Sequence, residues 1–598
     1  MNITKSDFVP IGQDENTPYT YRSNTGTKPV IGHPHDQSFI TKLKTPRLLT
    51  KSLLRVYQTE FEGLGRREAN LNHLKRKSTI KDISNGLRLT TEESEIKQQA
   101  IFHVDAITRA LVRGVSAAMS HIETYGLPFP YGVAEREAKL NGGYIAINGP
   151  TFKRLTNDRW MTRALRKEIR RRIEHIALDQ GVINMKIERY ASDQTVLIHE
   201  QNRKRNYDLL KSMEAINEEG DTLSLLELNE LSVSNPYIRN SELLVRLRGF
   251  ENYSDKHNHY ADFWTLTCPS KFHRSSKKWN GLTPKDAQRW LCKQWARFRS
   301  ALKRAGFTVY GFRVAEPHRD GCPHWHMLLF FESDEALQFS RHKMEHYLLS
   351  EDGNEKGADE HRFNYKLMDK AVGTATGYIA KYITKNIDGA NIQDVDGRDP
   401  VHAALRTNTW ASNWSIRQFQ QIGGPSVTVW RELRRMECEE TGALEQCRDA
   451  ADKSDWCGYF EAQGGHKVNY HDMPVKPAYW LELDPRINDI PLNEYGEPIG
   501  STVFGLTYDS TYYLTRFHTW KLQKKEDIEP IDRVIEIHPD SPVSSSGTHI
   551  RELETESNED FSYTGNFPYT YTEFSNVTDM SEPGEQVDIN DCLKKGPK

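Results

Sequence analysis

The sequence has none of the marks of a membrane-embedded or disulfide-built protein. No stretch approaches the ~18 consecutive apolar residues a membrane helix needs. Residues 1–22 lack the apolar core of a signal peptide. Its seven cysteines are odd in number, scattered, and never spaced C-x-x-C, which excludes a disulfide framework and fits a reducing compartment. Cys438, Cys447, Cys457 and His466 match no common zinc spacing and read as scattered thiols. There is no G-x-x-x-x-G-K-[ST], so the chain carries no motor of that kind, and no internal repeat. The expectation is a cytoplasmic protein with no membrane partner and no small-molecule cofactor.

The net charge of −3 hides an asymmetry. Between Glu526 and Asp591 seventeen Asp/Glu face two Lys/Arg, a net −15, which leaves +12 on the rest of the chain. A basic body suits a polyanionic partner, although charge alone equally describes a solvated surface.

Composition divides the chain into five parts. Residues 1–85 are polar and read as an arm. Residues 86–245 read as helical and basic: Thr90 and Glu93 make a capping box, and Val104, Ile107, Leu111 and Val115 repeat at helical spacing. Lys153–Gln180 contains Arg159, Arg163, Arg166, Lys167, Arg170, Arg171 and Arg172, a helix suited either to phosphate or to heavy solvation. A further helix is expected from about Asp193 to Glu218. Within 246–395, strands are expected at Phe263–Thr267, Val309–Ala315 and Trp325–Phe331, the last two as antiparallel neighbours across the turn Pro317–Pro323. Thr283, Pro284 and Asp286 open a helix whose apolar stripe is Leu291, Trp295, Phe298 and Leu302. Another helix is expected from about Thr374 to Ile387. In 396–525, Trp410, Trp414 and Trp430 alternate with arginines; they can stack on single-stranded DNA or fill a core, and the core reading is favoured. Residues 526–598 read as a disordered acidic tail.

Two constellations carry chemistry. Side chains alternate along a strand, so His324 and His326 share a face, which Leu328 and Phe330 continue into the core. Glu316, at the end of the preceding strand, can add a carboxylate, with His318 as a rival third ligand. Two imidazoles and a carboxylate suit Mg²⁺ or Mn²⁺ acting as a Lewis acid. The second constellation is Gly377–Asn386, where Tyr378, Lys381, Tyr382 and Lys385 form one helical stripe. The lysines can favour a phenolate and neutralise phosphate charge. Taken singly, H-x-H more often marks structural histidines, and a Tyr/Lys stripe half-buried tyrosines. Together they are the two halves of one reaction: a metal that polarises a phosphodiester and a tyrosine that attacks it.

These segments resemble the bacteriophage replication gene A protein family, the initiators of P2-like temperate phages, within the HUH endonuclease superfamily and its branch with two active-site tyrosines. The resemblance runs from about Tyr190 to Arg435. It is carried by Phe263–His273, Tyr310–His318, Pro323–Phe330, Gly377–Asn386 and Ser426–Arg435. It implies a catalytic domain at 246–395 with a central antiparallel sheet flanked by helices; with the mostly helical N-terminal region read from periodicity, the expected fold class is α+β. His324 and His326 match the metal-motif histidines, Tyr378 and Tyr382 the paired nucleophiles, and Glu316 the position of an upstream acidic ligand. The implied activity is nicking of single-stranded origin DNA to leave a 5′-phosphotyrosyl link and a free 3′-OH, with later rejoining. A host polymerase then extends the 3′-OH and a host helicase unwinds ahead. The alternatives are a plasmid relaxase or transposase of the same superfamily, a non-catalytic origin-binding protein, and a metal phosphodiesterase that uses water.

Overall fold

A computed structural model of the chain describes residues 47–525, less 141–146, 148, 370, 372, 388–399, 437–441, 481–491 and 500, together with the backbone of three short strands between residues 8 and 31. The acidic segment 526–598 lies outside the described residues.

From residue 47 on, the expected arm is helical. Helices α1 (Thr50–Leu64) and α2 (Arg66–Ser84) bury Leu53, Val56, Phe61 and Ile80. These apolar positions recur at helical spacing but sit thinly among charged residues, so composition masks them. Helix α3 (Glu93–Val112) takes Glu92 as its N-cap; the expected Thr90–Glu93 box is not formed, because the Thr90 hydroxyl accepts from Glu92 N–H two residues on. Helix α4 (Val115–Tyr125) follows.

The arginine-rich stretch breaks at Asn157, whose side chain caps α5 (Asp158–Asp179) by accepting from Trp160 N–H. Many of its cations are engaged by protein. Arg172 is buried and donates to the carbonyls of Ser84, Tyr125 and Gly126. Arg166 pairs with Glu93, and Arg171 donates to Asn413 O and Ser415 Oγ. Helix α6 (Asp193–Ser212) ends before the expected Glu218, and Met213–Asn217 continues as a strand paired with Trp520–Lys524.

Next come α7 (Pro236–Lys256), β1 (Tyr260–Thr267), α8 (Pro284–Ala305), β2 (Tyr310–Pro317), β3 (Pro323–Phe331), α9 (Asp334–Leu349), β4 (Phe363–Leu367), α10 (Ala375–Ile387), α11 (Pro400–Trp414) and β5 (Phe419–Ile422). The strands form one antiparallel sheet in the order β5-β2-β3-β1-β4. Its edge strand β5 lies beyond the boundary drawn at 395. The expected capping box at Thr283 and Asp286 is present, and Pro284 takes the first turn of α8.

The sheet is covered on both faces. On one, Trp264, Leu266, Trp325, Met327 and Leu329 pack against Leu291, Trp295, Phe298 and Leu302 of α8 and against α9. On the other, Phe263, Phe312, Val314, Leu328 and Phe330 pack against Ile379, Ile383 and Ile387 of α10 and Leu247 and Phe250 of α7. Trp410 and Trp414 belong to the first core and Trp430 to the second, all three buried, so these tryptophans are packing residues. Among the described residues no helix is long and apolar enough to cross a membrane.

Arg172 joins the ends of α2 and α4 to α5 through three backbone carbonyls. Arg172→Met strands these acceptors, so a loss of about 2–3 kcal/mol is expected, read as a lower thermal-unfolding midpoint. An unchanged midpoint would remove Arg172 from the structural account.

Candidate active site and metal centre

The turn between β2 and β3 sets the site. His318 N–H donates to Cys322 O at 2.7 Å and Gly321 N–H to His318 O at 2.8 Å. Gly321 holds φ +81°, a left-handed conformation that glycine adopts without strain. The register that follows pairs Glu316 with His324 and Val314 with His326, while Thr265 of β1 lies opposite His326 on its other side. Directly opposed residues share a face, so the carboxylate and both imidazoles gather on the face that α10 covers.

Ligand atoms of Glu316, His324 and His326 all lie within 4.8 Å of one another. His324 Nε2 is 2.9 Å from His326 Nε2, and His326 Nε2 is 3.8 Å from Glu316 Oε2. His326 Nδ1 lies 3.1 Å from Thr265 Oγ1. With Nδ1 protonated and donated to that hydroxyl, Nε2 presents its lone pair to the cluster, the arrangement by which an outer partner orients a ligand. Asn386, buried at 1% exposure, donates from Nδ2 to Glu316 Oε1 and to Tyr382 O. The donor set of two imidazoles and one nearly buried carboxylate fits a divalent cation with open positions.

His318 is not in this group. Its ring lies 4.1 Å from that of His324, centroid to centroid, and its other neighbour is His273. Burial, reinforced by His273, pushes the His318 imidazole down to about 4, which keeps it neutral. Beyond it, Asp320 accepts from His273 Nδ1 at 3.3 Å and from Ser275 Oγ at 2.8 Å. Burial opposes the charge there, yet the bonds from His273, Ser275 and Cys322 N–H hold the Asp320 carboxyl well below the usual range.

Helix α10 brings the phenols. Its N-terminus is pinned by Glu251 of α7, which accepts from Ala375 N–H at 2.6 Å, and by Thr374, which accepts from Gly377 N–H. At the other end Asn408 donates to Ile387 O. Tyr382 stacks on His326 with centroids 4.2 Å apart and an interplanar angle of 30°. Phe263 contacts both phenol rings, at 4.6 Å from Tyr378 and 5.7 Å from Tyr382. The Lys381 ammonium lies 4.2 Å from the Tyr378 ring centroid and 5.1 Å from that of Tyr382. Lys381 is exposed, and the Lys385 side chain lies outside the described residues. The phenolate expected beside these lysines is not favoured at Tyr382: burial, then Tyr378 and the Glu316 carboxylate, push its phenol up to about 12.

Sequence reasoning overlooked Asn386, Thr265, Phe263 and Glu251 as site residues. Asn386 had a usable signal, since it falls four residues past Tyr382 on the same helical face. The other three meet the site only through strand register and helix packing, which the sequence does not print.

One sheet face thus gathers a carboxylate and two imidazoles beneath a helix that bears two phenols. The chain belongs to the bacteriophage replication gene A protein (GPA) family, whose profile matches residues 75–390. It is 39% identical over 388 residues to the probable replication protein P12 of Pseudoalteromonas phage PM2, an alignment covering 63% of this chain and 60% of that one. To the replication gene A protein of Escherichia phage 186 it is 38% identical over 403 residues, covering 64% and 57%. To a probable replication endonuclease from a prophage-like region of Salmonella paratyphi A it is 34% identical over 330 residues, covering 51% and 41%. The matched span is thus between two fifths and three fifths of these relatives' own length. No solved structure matches the chain.

Asn386→Ala frees the Glu316 carboxylate to rotate. The expected result is a loss of about 10- to 100-fold in Mn²⁺ affinity, measured by calorimetric titration, with the circular-dichroism spectrum unchanged. Unaltered affinity would show that Asn386 does not orient a ligand.

Proposed function

We propose that this chain is a replication endonuclease that nicks one strand of phage origin DNA by tyrosine attack and starts rolling-circle replication. The observation that carries the reading is the stack of Tyr382 on His326, because it sets a phenol beside the cluster of Glu316, His324 and His326. Membership of the replication gene A protein family supports it, as do relatives named replication endonucleases.

Glu316, His324 and His326 would hold Mg²⁺ or Mn²⁺; the two imidazoles suit Mn²⁺ better than the oxygen-seeking Mg²⁺. A bound cation would supply Lewis acidity toward a phosphodiester oxygen. The Tyr382 phenol, raised by burial and by the Glu316 charge, ionises more readily once that charge is neutralised. The phenol oxygen attacks phosphorus, the phosphotyrosyl bond forms as the bond to O3′ breaks, and O3′ leaves to become a free 3′-OH. Lys381 offsets charge on the attacked phosphate. The ester conserves the energy of the broken bond, so attack by a 3′-OH can reverse the step and rejoin the strand. Tyr378, one helical turn away, supplies a second phenol: one can hold a 5′ end while the other cuts again. A host polymerase would extend the 3′-OH and a host helicase would unwind ahead of it.

On a single-stranded origin oligonucleotide, Tyr378→Phe with Tyr382→Phe is expected to abolish the covalent adduct seen on a denaturing gel. Cleavage that persisted without attachment would replace tyrosine by water as nucleophile. His324→Ala with His326→Ala is expected to remove metal-dependent cleavage and retain DNA binding. Metal dependence surviving that change would place the metal elsewhere.

A further inference from the structure

The face of α8 turned away from the sheet has no role in the centre described above. Helix α8 has 22 residues, of which seven are Lys or Arg and only Asp286 is acidic. Its apolar stripe is spent on the sheet core. Arg289, Lys293, Arg297 and Arg304 are exposed and fall along one side at spacings of four, four and seven residues. Successive cations four apart rise ~6 Å, and Lys285 to Arg304 spans about 28 Å. Acid offsets part of this charge: Arg289 meets Asp286 at 3.3 Å and Lys293 helps hold the Glu351 carboxyl below its ordinary range, while Arg297 donates to the neutral groups of Gln294 and Ser350.

Two further observations define the surface. The stripe borders a groove of about 450 Å³ between α8 and α9, lined by Lys293, Ala296, Arg297, Ser300, Arg304 and Tyr347. At the other end Arg171 and Lys167 of α5 add positive charge that Glu168 offsets in part: burial, then Arg171, Arg289 and Lys167, push the Lys285 ammonium down to about 8 against Glu168. This end adjoins the turn that leads into His324, since a Cβ built on Gly321 would stand 3.8 Å from Pro284 Cγ.

We propose that the outer face of α8 is a phosphate rail that holds duplex DNA flanking the nick, beginning beside the β2–β3 turn and running along the back of the sheet. The inference rests on the nuclease reading and adds the duplex as the partner. Duplex is favoured over single strand by the aromatic content of the face. Single-strand surfaces interleave cations with free rings for base stacking. Here Trp290, Trp295 and Phe298 are buried, and the Arg297 guanidinium lies 4.5 Å from the ring centroid of Tyr347. What the face offers is spaced cations, which contact backbone phosphates without reading sequence.

The test uses the full chain carrying Tyr378→Phe and Tyr382→Phe, so that cleavage does not intervene. Anisotropy follows its binding to a labelled duplex of about 20 base pairs and to a single strand of equal length, between about 50 and 200 mM salt. Adding Lys293→Gln, Arg297→Gln and Arg304→Gln is expected to weaken duplex binding at least ~10-fold and to lower the slope of log affinity on log salt by about 3. Arg304→Gln alone should lower the slope by about 1. With both tyrosines restored, the three glutamines should leave adduct formation on a short single-stranded oligonucleotide unchanged.

An unchanged duplex slope would overturn the proposal. So would an equal loss on the single strand, which would make the face part of the cleavage site. A gain in duplex affinity would also overturn it, and would point to the acidic segment 526–598 as the occupant. Because binding is read without cleavage, failure of the rail and failure of the tyrosine mechanism give different results.

Discussion

The antiparallel register of β2 against β3 is the constraint from which the site follows. It sets Glu316 opposite His324 and leaves His326 one pleat further on the same face. Period-two alternation makes this nearly all-or-none, because a slip of one residue would send both imidazoles into the core under α8. The slip is resisted from the other face. Trp325, Met327 and Leu329 fill that core, and Trp325 Nε1 donates to Gln288 Oε1 at 3.0 Å. The hydrophobic packing of one face thereby holds the polar geometry of the other.

The tyrosine helix is fixed by a different means. Glu251 and Asn408 hold its two ends, Ile379, Ile383 and Ile387 anchor its middle, and Asn386 ties it to the Glu316 carboxylate. A side chain that orients Glu316 therefore also sets the height of Tyr382 above His326. Such coupling would matter for the proposed tyrosine attack, where small displacements cost rate steeply.

Much of this was legible in the sequence because it rests on local periodicity. Strand alternation placed His324 and His326 together, and the 3.6-residue repeat placed Tyr378, Lys381 and Tyr382 on one stripe. The turn before Pro323 and the Thr283–Asp286 cap are likewise written in neighbouring residues. What escaped depends on partners far along the chain. Thr265 reaches His326 through strand pairing, and Glu251 reaches Ala375 through helix packing. The arginines of α5 illustrate the same limit: of the seven cations in that helix, Arg166, Arg171 and Arg172 are met by Glu93, Asn413 and the carbonyls at the ends of α2 and α4. The polar lead-in misled in the opposite direction, since α1 and α2 bury narrow apolar faces that composition averages away.

Strand β5 carries a consequence for how this protein can vary. It pairs along β2, the strand that bears Glu316, and comes from residues 419–422, whereas the stretch matched to the family ends at 390. A chain cut at that limit would hold Glu316, His324, His326 and both phenols, yet would leave the β2 ladder as an open edge with unpaired backbone groups. The segment beyond 390 also supplies Trp410, Trp414 and Trp430 to the two cores and Asn408 to the end of α10, so the sheet depends on it for packing as well as for pairing.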